Sequence, residues 1–211
     1  MAIDLLDSEG AVCLQEFRNT MMLDDDEFGH FCEANKPVNT YMDPTLERSP
    51  SACANFLRSL ADSGMLTWTT NPKDRITPFF VKKKSGRLRI VWDCRGVNTR
   101  FRPPPPMGLA SGARWADVVV PPDAEMYVAQ ADISNYFYYL GIPFELSEFF
   151  ALPSIDVGLV GDFPGIPEAL ARLPSGVQVA PCLKVVPMGW SWAMWLAQRI
   201  VHQQIVESNV I

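Results

Sequence analysis

The strongest constraint on the fold is a pair of β-rich runs that flank a short turn. Residues 76–81 and 88–92 are rich in residues that favour strands, and Ser85-Gly86 lies between them. A Ser-Gly pair is typical of a turn, and two such runs around it predict an antiparallel β-hairpin. The fold must therefore pair these two runs and leave the turn in solvent.

Positive charge is concentrated on the same hairpin. Residues 73–102 hold ten basic and two acidic residues, although the chain of 211 residues has a net charge of −6. Three lysines, Lys82–Lys84, lead into the turn, and Arg87 and Arg89 follow it. Phosphate binding depends on the local potential more than on the net charge. The hairpin tip is therefore either a solvated loop or a cation cluster suited to phosphate groups.

The remaining periodicity predicts a mixture of helices and strands, which is an α+β fold. Ser49-Pro50 is typical of a helix start, and the apolar face that follows ends at Gly64. Residues 125–131 predict a buried strand that ends at Asp132. A further strand is predicted for residues 177–186 and a helix for residues 191–206.

The chain divides into three predicted segments. Residues 1–48 have weak periodicity and an acidic cluster at residues 24–27, and we expect a loosely structured leader with a solvated acidic face. Residues 49–102 contain the predicted helix and the basic hairpin. Residues 103–211 begin with four prolines, which form a stiff boundary, and include a Gly- and Pro-rich inserted loop at residues 153–176.

Composition excludes several classes of protein. A hydrophobic content of 48% provides a core and excludes a mainly disordered chain. No apolar run approaches the roughly 18–20 residues that span a bilayer, so no membrane association is expected. The five cysteines are odd in number and widely spread, which indicates free thiols in an intracellular compartment. The sequence leaves cytoplasm and nucleus open.

An aspartate at the end of an apolar strand is costly to bury without a partner. Asp132 closes the predicted strand of residues 125–131. Two interpretations remain open at this point. Asp132 either caps the turn or helix that follows, since aspartate is a favoured N-cap, or it is a metal ligand.

Three segments, in this order, resemble the reverse transcriptases of retroelements, chiefly the long-terminal-repeat and retroviral type. Residues 80–98 are similar to the family's fingers hairpin, and residues 131–137 to its first palm motif, D-x-x-x-x-Y/F. Residues 185–191 are similar to its L-P-x-G block. The resemblance covers about residues 55–206. It implies a right-hand polymerase fold with fingers at residues 49–102 and a partial palm at residues 103–211.

The resemblance implies an RNA-directed DNA polymerase, a nucleotidyltransferase that extends a primer on an RNA or DNA template with dNTPs. Phosphoryl transfer of this kind uses two Mg²⁺ or Mn²⁺ ions roughly 3.5–4 Å apart, held by neighbouring carboxylates. By resemblance, Asp132 is the catalytic metal ligand, and the backbone carbonyl of Ile133 also faces a metal.

Further roles are implied by the same resemblance. Arg89 and a hairpin lysine, either Lys83 or Lys84, match fingers groups that hold the incoming triphosphate. Of the two lysines, Lys83 is favoured. Residues implied to contact the nucleotide from the palm are Phe137, Met188 and Gly189. Residues implied to brace the base of the hairpin are Asp93, Arg95 and Asn98.

One family motif has no counterpart in the sequence. An aromatic-x-Asp-Asp hairpin is expected after the helix that ends near Val206, and it does not occur up to Ile211. Asp24-Asp25 imitates the motif but precedes the hairpin. We therefore expect a polymerase fragment, truncated before that motif, with little or no activity as 211 residues. The alternatives are an inactive retroelement remnant that binds nucleic acid through the basic hairpin, and an interaction domain whose acidic leader binds a basic partner.

Overall fold

The computed structural model describes residues 1–108, 112–128 and 130–208, which form an α+β fold of mixed helices and two small antiparallel sheets. The α-helices are α1 (Ser8–Gln15), α2 (Phe17–Thr20), α3 (Asp25–Ala34), α4 (Pro44–Arg48), α5 (Pro50–Asp62), α6 (Arg95–Asn98), α7 (Phe144–Ser147), α8 (Glu168–Ala171) and α9 (Ala193–Glu207). The strands are β1 (Leu66–Thr69), β2 (Thr77–Lys82), β3 (Leu88–Asp93), β4 (Ile155–Asp156) and β5 (Gln178–Leu183). Short 3₁₀ helices occur at Ala2–Leu5, Gly112–Asp117, Tyr136–Tyr139, Glu148–Phe150 and Val157–Leu159.

The three-stranded sheet pairs strands that are distant in sequence, whereas the two-stranded sheet pairs neighbouring strands. Strand β5 is central in the three-stranded sheet, with β1 and β4 antiparallel on either side. Strands β2 and β3 form the predicted hairpin, in a register that pairs Thr77 with Asp93 and Lys82 with Leu88. The turn between them contains Gly86 at φ +82°, a conformation that glycine adopts without steric cost.

The predicted helix start at Ser49-Pro50 is confirmed. Ser49 is the N-cap of α5, and its hydroxyl accepts a hydrogen bond from the backbone N–H of Ala52 at 3.2 Å. Gly64, at φ +66°, follows the C-terminal end of the helix. The buried face of α5 includes Leu57 and Leu60, as its periodicity predicts. Local signals are sufficient here because the cap and the apolar stripe lie in one segment.

Residues 1–48, for which a loosely structured leader with short helices at most was expected, are helical and pack against the rest of the chain. They form α1–α4 and contribute buried apolar side chains to the main hydrophobic core. Phe17 is 4% exposed, and its ring meets that of Phe149 edge to face at 6.1 Å between centroids. Arg199 on α9 forms an ion pair with Asp7, the N-cap of α1. The acidic charge of this segment is therefore partly neutralised within the fold.

The predicted strand at residues 125–131 is wrong for the part of it that is described. Residues 125–128, 130 and 131 are exposed and form no strand, and Ala129 lies outside the described residues. Apolar character alone does not make a strand, because a strand also needs a partner for its backbone N–H and C=O groups.

The segment at residues 153–176, predicted to be an inserted loop, contains β4, a 3₁₀ helix and α8. It is fastened to α5, because Arg58 donates two hydrogen bonds of 2.7 Å to Asp162. The Arg58 guanidinium also lies 4.2 Å from the centroid of the Phe163 ring. Among the described residues, no helix combines the length and apolar character needed to cross a membrane.

Candidate functional site

The tip of the β2–β3 hairpin carries the predicted cation cluster. Lys82–Lys84, Arg87 and Arg89 are all exposed, and none pairs with a carboxylate of the described residues. A depression of about 420 Å³ lies against the hairpin, and its lining residues are Val81, Lys82, Lys83, Lys84, Ser85 and Arg89. Lys83, Lys84 and Arg89 of the predicted triphosphate site therefore lie around one concave surface.

The base of the hairpin is braced by Asp93, which is 5% exposed. Arg95 donates to both of its carboxylate oxygens, at 2.9 Å from Nε and 2.6 Å from Nη2. The backbone N–H of Tyr41 donates a third hydrogen bond, of 2.7 Å. These donors, the Arg95 guanidinium above all, lower the pKa of Asp93 from 3.8 to about 2, so this carboxylate is ionised and occupied by structural partners.

Asn98, at the end of α6, links the hairpin base to the turn at residues 187–191. Its amide donates to the backbone carbonyl of Gly189 at 2.9 Å and accepts from the backbone N–H of Ser191 at 2.9 Å. Gly189 has φ +130°, and a Cβ there would lie 2.6 Å from the carbonyl oxygen of Trp92 on β3. A glycine is therefore required for this close approach. Met188, next to it, is 42% exposed.

The 3₁₀ helix Tyr136–Tyr139 begins inside the motif at residues 131–137, and Leu140 follows it. The backbone N–H of Val186 donates to the carbonyl of Leu140 at 2.9 Å, which joins this segment to the 187–191 turn. Phe137 is half-buried in the 3₁₀ helix. Tyr138, whose hydroxyl lies near Trp92 and Arg89, was not among the site residues predicted from the sequence. Burial raises the pKa of the Tyr138 hydroxyl, and the adjacent Trp92 indole and the charge of Arg89 partly offset the rise.

Asp132 and Ile133 precede this 3₁₀ helix, and neither is buried. Asp132 is exposed, and the side chain of Ile133 is 54% exposed. The alternative role of Asp132 as a helix cap is not observed, because the N-cap of the 3₁₀ helix is Asn135, at φ +57°. In residues 1–108, 112–128 and 130–208, no three His, Cys, Asp or Glu side chains group so that they could hold a metal ion. The described residues therefore do not fit the implied two-metal site.

No protein-family model matches the chain, and a search of curated proteins also found no match. The resemblance to reverse transcriptases thus depends on the three sequence motifs alone.

Proposed function

We propose that this chain is a reverse-transcriptase-like polymerase fragment that binds the triphosphate of a dNTP and the backbone of an RNA or DNA template–primer. One observation carries the proposal. Segments that are about 45 to 100 residues apart in sequence lie close together: the basic hairpin, the turn at Gly189, which approaches Trp92 of the hairpin, and the segment after Asp132, which is hydrogen-bonded to Val186 through Leu140. These segments contain or adjoin the three motifs on which the resemblance rests, and this supports the proposal.

The hairpin has the chemistry that phosphate binding needs. Arginine presents a planar fork of N–H donors that matches phosphate oxygens, and lysine supplies a mobile point charge. Because Lys83, Lys84 and Arg89 have no carboxylate partner among the described residues, a bound phosphate would not have to displace an existing ion pair.

Binding and synthesis have different requirements in this chain. Within the three motifs Asp93 and Asp132 are the only carboxylates, and Asp93 is held by Arg95. Asp132 alone provides too few ligands for two metal ions. We therefore expect the 211-residue chain to bind nucleotides and template–primer without extending the primer. Templated DNA synthesis with Mg²⁺ or Mn²⁺ is proposed only for a domain that supplies the second carboxylate pair.

A second candidate is a catalytically inactive retroelement remnant that binds nucleic acid through the same hairpin. It is favoured by the exposure of Asp132 at the end of a segment that forms no strand in its described part. Both candidates predict binding through the hairpin. They differ in whether a dNTP also binds at the hairpin and in whether that dNTP binding depends on the turn at Gly189.

The test is a fluorescence titration of a labelled primer–template, and of a labelled dNTP, with the 211-residue chain. Lys83→Ala and Arg89→Ala are each expected to weaken both affinities by about threefold to tenfold, since each removes a phosphate contact. Lys36→Ala is the matched control, because Lys36 is an exposed lysine outside the hairpin. Asp132→Ala is expected to leave both affinities unchanged.

The outcomes separate the two candidates. Binding of primer–template without dNTP binding would favour the remnant. Binding of neither ligand, or binding that Lys36→Ala weakens as much as Lys83→Ala, would contradict both. In a parallel primer-extension assay with Mg²⁺ or Mn²⁺, a product that disappears in Asp132→Ala would contradict the expected inactivity.

A further inference from the structure

The four consecutive prolines, Pro103–Pro106, lie on the surface and take no part in the proposed site. Pro103, Pro105 and Pro106 are exposed, whereas Pro104 and Met107 are half-buried. Met107 packs against the main hydrophobic core. The half-buried positions are therefore three residues apart, and the positions between them face solvent.

This spacing is the one expected of a polyproline II helix. The proline ring fixes φ near −65°, and each proline also keeps the preceding residue out of the helical region. Prolines in series therefore favour polyproline II, which has three residues per turn. With Pro104 and Met107 on the edge that faces the protein, the other two edges are directed outward. The edge with Pro103 and Pro106 presents two apolar rings.

The stretch is held at both ends by side chains from the α9 region. The indole Nε1 of Trp192 donates to the carbonyl of Arg102 at 2.8 Å, and the amide of Gln198 donates to the carbonyl of Gly108 at 3.2 Å. The backbone N–H of Arg102 also donates to the carbonyl of Met21 at 2.8 Å. Because the segment is ordered before any partner arrives, binding loses little conformational entropy.

We propose that Pro103–Pro106 is a recognition segment for a partner domain whose groove is lined with aromatic side chains and reads polyproline II. Prolines have no backbone N–H, so the stretch cannot pair as an added β-strand, and its recognisable features are ring surfaces and carbonyl acceptors. Aromatic side chains with an N–H or O–H donor, such as Trp and Tyr, match both features. A linker that served only as a spacer would not need to be held at both ends with two edges of its polyproline II helix exposed to solvent.

The experiment is a calorimetric titration of the 211-residue chain with three purified domains that read polyproline II: a WW domain, an SH3 domain and an EVH1 domain. At least one is expected to bind with a dissociation constant below about 1 mM. Pro103→Ala and Pro106→Ala should each weaken that binding at least about tenfold, since each removes one ring from the outward edge.

The matched control is Pro121→Ala, because Pro121 is an exposed proline outside the stretch. It should leave the affinity unchanged, and circular dichroism should show that all three variants remain folded. The proposal is overturned if none of the three domains binds, or if Pro103→Ala and Pro106→Ala weaken binding no more than Pro121→Ala does. It does not depend on nucleotide binding, so either proposal can fail without the other.

Discussion

Replacement of Asp93 by Asn should destabilise the fold in a pH-dependent manner. The folded-state pKa of Asp93 is about 2, below its ordinary value of 3.8, because Arg95 and backbone N–H groups stabilise the ionised form. A carboxyl group with a lowered folded-state pKa stabilises the protein above its unfolded-state pKa. That contribution decreases as the pH falls from about 4 toward 2 and the group becomes protonated.

The pKa difference sets the size of the effect. At about 1.4 kcal/mol for each pH unit, a decrease from 3.8 to about 2 corresponds to roughly 2.5 kcal/mol at pH 7. The Asp93 side chain is 4% exposed but that of Arg95 is 63% exposed, so solvent screens part of the attraction. We therefore expect Asp93→Asn to lower the free energy of unfolding by about 1–2.5 kcal/mol at pH 7, and by about half as much at pH 3.

Urea denaturation at several pH values between 7 and 3 measures this difference directly. Glu168→Gln is the matched control, since the Glu168–Arg172 pair has side chains that are 75% and 76% exposed. Pairs of this kind contribute little, so this variant should unfold like the unsubstituted chain. Equal stability of Asp93→Asn and the unsubstituted chain at pH 7, or a deficit that stays constant down to pH 3, would refute the assignment of Asp93 as the ionised brace of the hairpin.

Two further substitutions test the packing around the site and the N-terminal segment, again by urea denaturation. Gly189→Ala should cost about 2–4 kcal/mol, because left-handed strain is worth about 1–3 kcal/mol and its Cβ would lie 2.6 Å from a backbone oxygen. Gly176→Ala, at φ +97° with nothing within 4 Å, should cost only the strain, so equal losses would contradict the close approach. Phe17→Ala should cost about 3–5 kcal/mol, whereas Val12→Ala, at an exposed position, should change stability by less than about 0.5 kcal/mol. A small loss in Phe17→Ala would mean that the N-terminal segment does not pack as described.

Elements with local signals were predictable from the sequence. The hairpin follows from two strand-like runs around Ser85-Gly86, and α5 follows from its cap and apolar stripe. Each of these elements is specified within about fifteen residues, so no distant contact has to be known in advance.

Elements that depend on distant partners were not predictable in the same way. The helices of residues 1–48 are stabilised by contacts such as Phe17 with Phe149, which no local pattern indicates. The apolar run at residues 125–131 satisfies the strand pattern, yet its described part forms no strand. Tertiary contacts decide both cases, because propensity is only a weak prior.

The candidate site shows the same division. The cations of the hairpin could be identified from the sequence, since charge and turn residues are local. The link from Asn98 to Gly189 spans more than 90 residues, and no spacing rule specifies it. The sequence motifs singled out Asn98 and Gly189 separately, but only the structure shows the hydrogen bonds of Asn98 and the close approach of Gly189 to Trp92.

The most direct test of the proposed binding site is the salt dependence of primer–template binding. The logarithm of the binding constant should fall linearly with the logarithm of the salt concentration, because bound phosphates release counterions. Lys83→Ala should reduce the magnitude of this slope by about one, and the double variant with Arg89→Ala by about two, whereas Lys36→Ala should leave it unchanged. A slope that is the same in the double variant and the unsubstituted chain would contradict phosphate binding by the hairpin.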